Sequence, residues 1–353
     1  MKLIDENVEE YHNLVSPENL KKEISITKEI EELVIKTRES IKNILEGTDK
    51  RKIIIVGPCS IHNSNEAEEY ANKLKIISDK VKDKFLIIMR TYFEKPRTTV
   101  GWKGMIYDPF MDGSDNLELG LYLSREVLVK VSSLGIPCAT EFLGTLIPQY
   151  FDDLITWAAI GARTTESQPH RELVSGLSMP AGFKNSTFGN IDIACNAMKS
   201  ALSSHTFLGI DQKGVSSIIK TKGNREAHII LRGGEKPNYD SESVNEIIAK
   251  LKELELTQKI IIDCSHGNSD KDFRKQELAF KDIINQIKEG NEDIVGFMLE
   301  SNINEGNQKL CENISDLKPG VSITDECISL ETTEKIILDA YEKLNFWIQI
   351  LKL

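Results

Sequence analysis

The stretch Lys52–Ser60 reads KIIIVGPCS. Four β-branched residues stand in a row before Gly57 and Pro58 stop them. The run is too short for a helix and has no polar face. It therefore reads as a strand buried on both sides, the signature of a parallel sheet covered by helices. The next polar residue, Cys59, then stands at the C-terminal end of that strand.

Seven similar runs follow, with amphipathic stretches between them. They are FLIIMR from Phe85, IPCATE from Ile136, WAAIGAR from Trp157 and MPAGFKN from Met179, then HIILRGG from His228, KIIIDCS from Lys259 and IVGFMLES from Ile294. Eight buried strands alternating with helices predict a closed (β/α)8 TIM barrel. One segment breaks the alternation: HTFLGIDQKGVSSIIKTKGN, residues 205–224, reads as two strands around a turn at Gln212-Lys213-Gly214. It falls between the fifth and sixth barrel strands. The first fifty residues are polar and helix-prone, with a helix start at Ser16-Pro17-Glu18-Asn19. The expected division is an N-terminal helical extension over 1–50 and the barrel over 51–353, with 205–224 as an inserted hairpin.

The 353-residue chain has 44 Lys and Arg against 55 Asp and Glu, a net charge of −11. That balance argues against a broad nucleic-acid or membrane surface, so an anionic partner should be small and met locally. The opening MKLIDENVEE lacks the apolar stretch of a signal peptide, and no run is long enough to span a bilayer. Six scattered cysteines show no paired framework, which fits a reducing, cytoplasmic compartment.

Barrel chemistry gathers at the C-terminal strand ends. Those ends deliver Cys59, Arg90, Glu141, Arg163, Lys184, Arg232, His266 and Glu300. Arg90, Arg163, Lys184 and Arg232, with Lys95 and Arg97 of MRTYFEKPRTTVGWKG (Met89–Gly104), form a cationic group suited to phosphate and carboxylate. The plainer alternative is that some of them pair with Glu94, Glu141 or Glu166. Cys59, His266 and Glu300, joined by Asp325, offer a thiolate, an imidazole and two carboxylates. That donor set suits manganese, iron, cobalt or zinc better than magnesium or calcium.

These motifs resemble the type I 3-deoxy-D-arabino-heptulosonate 7-phosphate (DAHP) synthases. The similarity runs through GPCSIHN at Gly57, the Met89–Gly104 stretch, GARTTESQ at Gly161 and GFKN at Gly182. It continues through ILRGG at Ile230, DCSHGNS at Asp263, ESNINEGNQ at Glu300 and GVSITDECIS at Gly320. The resemblance implies a metal-dependent condensation of phosphoenolpyruvate with erythrose 4-phosphate, the first step of aromatic amino-acid biosynthesis. It gives phosphoenolpyruvate to Arg90, Lys95, Arg163, Lys184 and Arg232. Lys95-Pro96-Arg97-Thr98 surround erythrose 4-phosphate, with Arg97 on its phosphate. One divalent ion goes to Cys59, His266, Glu300 and Asp325. Lys95, Glu141, Lys184 and His266 are the candidates for catalysis. Feedback inhibition by an aromatic amino acid is also implied, at Pro148, Gln149, Ser178, Phe207, Gly209 and Ile219. Glycine at 209, where phenylalanine-responsive members tend to carry serine, points to tyrosine. Members commonly assemble as dimers and tetramers, which implies a homo-oligomer with the N-terminal extension crossing to a neighbour.

Three rivals stand against this reading. A 3-deoxy-manno-octulosonate 8-phosphate synthase shares the barrel and phosphoenolpyruvate, but it looks like KANRTS where this chain has KPRTT. A Schiff-base aldolase would need Lys184 with a lowered pKa, whereas substrate anions around it would keep it charged. A non-catalytic barrel would be expected to have lost some strand-end residues.

Overall fold

The structure, a computed structural model, describes residues 3–311 and 313–350; positions 1–2 of the 1–50 span and positions 312 and 351–353 of the 51–353 span lie outside it. The barrel strands β1 to β5 are Lys52–Gly57, Phe85–Arg90, Cys138–Glu141, Ile155–Ile160 and Ala181–Lys184. Two further strands, β6 (Thr206–Ile210) and β7 (Ser216–Lys220), pair only with each other. The barrel resumes with β8 (Ala227–Leu231), β9 (Ile260–Asp263) and β10 (Ile294–Asn302). A two-residue strand, β11 (Ile328–Ser329), extends the end of β10. The parallel order runs β1-β2-β3-β4-β5-β8-β9-β10, and β10 pairs back with β1 to close it. The eight predicted runs each supply one barrel strand. The fourth begins earlier than its sequence run, at Ile155, where Thr156 donates its hydroxyl to the Cys138 carbonyl on β3.

The pleat sends alternate residues to opposite sides. On β1, Ile53 and Ile55 join Ile88, Tyr92, Trp157, Ile230 and Met298 inside the barrel. Ile54 and Val56 face the surrounding helices. Continuous β-branched runs are what a strand needs when both faces are buried.

The N-terminal segment holds α1 (Pro17–Glu23), capped by the Ser16 hydroxyl as predicted, and α2 (Lys28–Glu46). Ile41 and Ile44 of α2 belong to the interior cluster, and the Arg38 guanidinium donates to the Asp152 and Ile155 carbonyls beside β4. This helix closes the end of the barrel opposite the strand C-termini. The remaining helices follow their strands: α3 (Ser64–Val81), α4 (Leu117–Ser133), α5 (Pro148–Phe151), α6 (Gln168–Gly176), α7 (Asp192–Leu202), α8 (Ser241–Glu253), α9 (Gln276–Lys288) and α10 (Leu330–Ile350). Among the described residues no helix is long and apolar enough to cross a membrane.

The hairpin forms as read, with Gly214 at φ +78° in its turn. Its tip is fastened to the N-terminal segment: the Gln212 carbonyl accepts from the Glu18 amide, and Lys21 donates to the Gln212 side chain at 2.9 Å.

Candidate active site

The strand C-termini surround a cavity of about 700 Å³. Of the strand-end residues, Arg90, Glu141, Arg163, Lys184, Arg232, His266 and Glu300 line it, together with Lys95, Pro96, Arg97 and Asp325. Cys59 is fully buried beside them and reaches the group through Lys95 and Asp325. Thr98 lies farther along the same loop and is exposed.

Two clusters of charge share this cavity. In the first, Cys59, Glu300 and Asp325 each offer a ligand atom, and these atoms lie within 4.8 Å of one another. His266 Nε2 stands 3.9 Å from Glu300 Oε1, at the edge of that set. His266 Nδ1 faces the Ser265 hydroxyl at 2.7 Å and Asp263 Oδ2 at 3.0 Å, so its outward ring position is fixed by a carboxylate. Its backbone sits at φ +56°, a conformation that costs a non-glycine residue roughly 1–2 kcal/mol. Burial pushes the Cys59 thiol up to about 11, with Glu300 and Asp325 adding to the rise. Lys95 Nζ lies 3.0 Å from its sulfur. Burial opposes the lysine's charge, but Cys59, Asp325 and Glu300 together hold its pKa above the usual lysine value.

The second cluster is a chain of buried ions. Arg90 pairs with Glu300 at 3.0 Å and stacks over the Tyr92 ring, 4.0 Å from its centroid. Its Nη1 atom is buried without a hydrogen-bond partner among the described residues. Lys184 sits between Asp263 Oδ2 at 3.3 Å and Glu141 Oε2 at 3.4 Å. Burial would discharge Lys184, yet these two carboxylates raise its pKa. Lys184 outweighs burial at Glu141 and keeps its pKa low, and His266 together with Lys184 holds Asp263 well below the usual carboxylate range. The raised pKa keeps Lys184 protonated, the opposite of the lowered value that a Schiff base requires. The sequence reading gave that role to substrate anions; the protein supplies anions of its own. Gly161 makes room for this geometry, because a Cβ there would stand 2.5 Å from Glu141 Oε1. Burial lowers the Arg232 pKa, against the pull of Asp263.

The 95–104 loop is ordered by its own backbone. The Lys95 amide donates to the Lys103 carbonyl at 2.9 Å, and Arg97 Nε donates to the Trp102 carbonyl at 2.7 Å. Gly104, at φ +111°, lies so close that a Cβ would stand 2.0 Å from the Phe93 carbonyl oxygen.

Hydrogen bonds join each strand-end segment to the next. Ser60 meets Thr324 at 2.8 Å, and the Ile61 amide donates to the Tyr92 carbonyl at 2.8 Å. Glu94 accepts from the amides of Leu143 and Gly144, and the Leu143 carbonyl meets His170 of α6 at 2.8 Å. Thr165 donates to the Lys184 carbonyl, and the Arg232 amide to the Asn185 side chain. The Gly267 amide donates to the Arg232 carbonyl. Gln276 closes the circuit by clamping the Glu300 backbone from both sides, donating to its carbonyl and accepting from its amide.

Sequence reasoning gave no site role to Asp263, Glu94 or Gln276. Asp263 ends an apolar run in KIIIDCS as plainly as Arg90 ends FLIIMR, and that was the available signal. Glu94 was weighed only as a partner for a cation, and here it faces backbone amides. Gln276 opens α9 and carried no signal. Of the acids weighed as cation partners, Glu141 meets Lys184, while Arg90 pairs with Glu300.

The candidate inhibitor residues lie on the flank of the barrel. Phe207 and Ile219 pair across the hairpin, and Gly209 shares their face. Leu208 and Ile218 point the other way into solvent, 85% and 70% exposed. Pro148 and Gln149 are on α5, and the Gln149 side chain accepts from Gln212 of the hairpin turn at 2.9 Å. Ser178 is exposed just beyond α6. Near it, Ser175 of α6 meets Thr221, just past β7, at 2.7 Å.

Residues 23–338 match the family model of the DAHP synthetase I family. The chain belongs to that family. Among curated DAHP synthases, it is 47% identical over 332 residues to the "Phospho-2-dehydro-3-deoxyheptonate aldolase, Tyr-sensitive" of Escherichia coli (strain K12), covering 94% of this chain and 93% of that one. The Phe-sensitive protein of the same organism is 46% identical over 333 residues, 94% of this chain and 95% of that one. Overall identity therefore does not separate the two inhibitor types. A solved phospho-2-dehydro-3-deoxyheptonate aldolase from Francisella tularensis SCHU S4 superposes with a TM-score of 0.93 at 49% identity, covering 96% of this chain and 99% of that one.

Proposed function

We propose that this chain condenses phosphoenolpyruvate with D-erythrose 4-phosphate and water to give DAHP and phosphate, under feedback inhibition by an aromatic amino acid. The observation that carries this reading is one cavity in which Arg90, Lys95, Arg163, Lys184 and Arg232 face Glu300 and Asp325. The chain's membership of the DAHP synthetase I family supports it.

The donor set fits one divalent ion held by Cys59, Glu300 and Asp325 with His266, and its sulfur-nitrogen-oxygen character favours manganese, iron, cobalt or zinc. Such an ion supplies Lewis acidity toward the aldehyde oxygen of erythrose 4-phosphate. The chain's own groups do the rest. Arg90, whose buried Nη1 has no acceptor among the described residues, binds phosphoenolpyruvate by its carboxylate and phosphate with Lys95, Lys184, Arg163 and Arg232. Lys95, Pro96, Arg97 and Thr98 hold erythrose 4-phosphate, with Arg97 on its phosphate. Carbon 3 of phosphoenolpyruvate attacks the aldehyde carbon. Water adds at carbon 2, and cleavage of the C–O bond releases phosphate. Glu141, kept ionised, and Lys184, kept protonated, are the acceptor and donor for that carbon, and Asp263 holds the His266 ring so that Nε2 is turned toward the metal-ligand set.

Phosphate release from phosphoenolpyruvate, with erythrose 4-phosphate or arabinose 5-phosphate and with or without a chelator, tests the proposal. Release with erythrose 4-phosphate alone, lost on chelation, is expected. Turnover of arabinose 5-phosphate, or of neither aldose, would overturn it. Arg97→Ala should raise the KM for erythrose 4-phosphate, and Arg163→Ala or Arg232→Ala that for phosphoenolpyruvate. Each is expected to change roughly tenfold to a hundredfold, the worth of one charge-assisted contact. An Arg97→Ala enzyme weakened only toward phosphoenolpyruvate would reverse the division.

The inhibitor is L-tyrosine, bound against Phe207, Gly209 and Ile219 with Pro148, Gln149 and Ser178. A side chain at 209 would reach Ile219, whose Cγ1 would lie 2.9 Å from the new Cβ. Gly209→Ser therefore narrows the pocket and displaces Ile219. It is expected to shift inhibition from tyrosine toward phenylalanine, measured by titrating both amino acids on both proteins. A wild type stopped by phenylalanine and indifferent to tyrosine would overturn the assignment. The proposal includes a cytoplasmic location, which the free state of all six cysteines supports, and a homo-oligomer, dimer or tetramer.

A further inference from the structure

We infer that Glu94 is a positioning residue for the condensation, setting Lys95 and Arg97 by locking the root of their loop onto the segment that follows Glu141. The inference rests on the reading that this loop holds erythrose 4-phosphate. Glu94 is 3% exposed and lies next to Lys95 in sequence, yet its carboxylate turns away from the cavity. Oε2 accepts from the Leu143 amide at 3.0 Å, and Oε1 from the Gly144 amide at 2.9 Å and the Tyr107 hydroxyl at 3.0 Å. Three donors on two oxygens leave the side chain little freedom. Both ends of the grip matter. On one side Lys95 contacts the Cys59 sulfur and Arg97 closes on the Trp102 carbonyl. On the other, Leu143 and Gly144 begin two residues beyond Glu141, which pairs with Lys184. Leu143 is in turn fixed at its carbonyl by His170.

A buried acid facing two adjacent amides cannot be replaced by a neutral isostere without loss. Glutamine has one acceptor oxygen, and its NH2 group would confront an amide N–H. Burial pushes the Glu94 carboxyl up to about 7, against the pull of those amides and of Tyr107. A group held at that cost has a positional task, since the loop could close on itself through Lys95 and Lys103 without it.

Glu94→Gln and Tyr107→Phe, each as the full-length protein, test this. Glu94→Gln is expected to raise the KM for erythrose 4-phosphate at least tenfold, the worth of one charge-assisted contact, and that for phosphoenolpyruvate, which Lys95 also meets, by a clearly smaller factor. Tyr107→Phe, which removes one donor and keeps the ring, should move the same constant in the same direction by a smaller factor. A merely structural role would lower the unfolding temperature and leave the two KM values in their wild-type ratio, and that result overturns the inference. If Glu94→Gln does not fold, Tyr107→Phe decides: an unchanged erythrose 4-phosphate KM overturns it. A wild-type enzyme that does not turn over erythrose 4-phosphate refutes the reading beneath it instead.

Discussion

Alanine at Cys59 is expected to abolish activity while leaving the fold intact. The side chain is fully buried but small, so its loss should cost stability of only about 1 kcal/mol. What disappears is the soft donor facing Asp325 and Glu300. Metal content after chelation and reloading should fall together with phosphate release, and the unfolding temperature should stay near wild type. Normal turnover by the stripped and reloaded Cys59→Ala enzyme would sink the assignment of the thiolate. The wild type offers a second readout. With its pKa pushed up to about 11 in the free site, the thiol carries its proton at neutral pH, so ion binding must expel that proton. Apparent affinity should therefore weaken as pH falls, and binding should acidify a weakly buffered solution.

Asparagine at Asp263 is the second large effect. This carboxylate has no exposure, and it meets both Lys184 and His266. Neutralising it leaves the buried ammonium with Glu141 alone and the imidazole Nδ1 with the Ser265 hydroxyl as its remaining hold. Loss of such a partner typically costs a bound ion or its chemistry ten- to a hundredfold, and the weakened compensation of the buried ammonium lowers stability as well, less than full loss of its partners would. We expect kcat to fall by at least a hundredfold, with metal affinity reduced as well. Glu141→Gln is the control, because it relieves Lys184 without touching His266. Equal effects on metal affinity in both variants would show that the imidazole does not depend on Asp263.

The barrel was legible because each strand is buried on both faces and must be spelled as an apolar run, and the first polar residue past each run falls at the mouth. This found Cys59, Arg90, Glu141, Lys184 and Glu300 without any knowledge of contacts. It failed where position alone is silent. Asp263 was eclipsed by His266 three residues on, although its side chain is the one shared by two neighbours. Partner choice was equally opaque. Nothing in the order of residues says that Arg90 goes to Glu300, two strands round the barrel, or that Glu94 turns from every cation to two amides. Those choices are made by burial, since each buried charge takes whatever partner the closed wall brings within reach. The start of β4 was misplaced for a simpler reason: Thr156 reads as polar until its hydroxyl finds the Cys138 carbonyl.

The bonds that link one strand-end segment to the next have a mechanical consequence. Because they return to their starting point through Ser60 and Thr324, the mouth is a hoop rather than a row of independent fingers. A hoop shares load in both directions, so cutting one link leaves every segment tethered from its other side. Cutting two links detaches the arc between them, and paired substitutions should do more harm than their separate effects add up to. Compliance is left to what hangs inward from the hoop, the tip of the 95–104 loop and the exposed Phe188 ring at the cavity edge. A guest sugar is thus met by a frame that is already rigid and by two small parts that can yield to its shape.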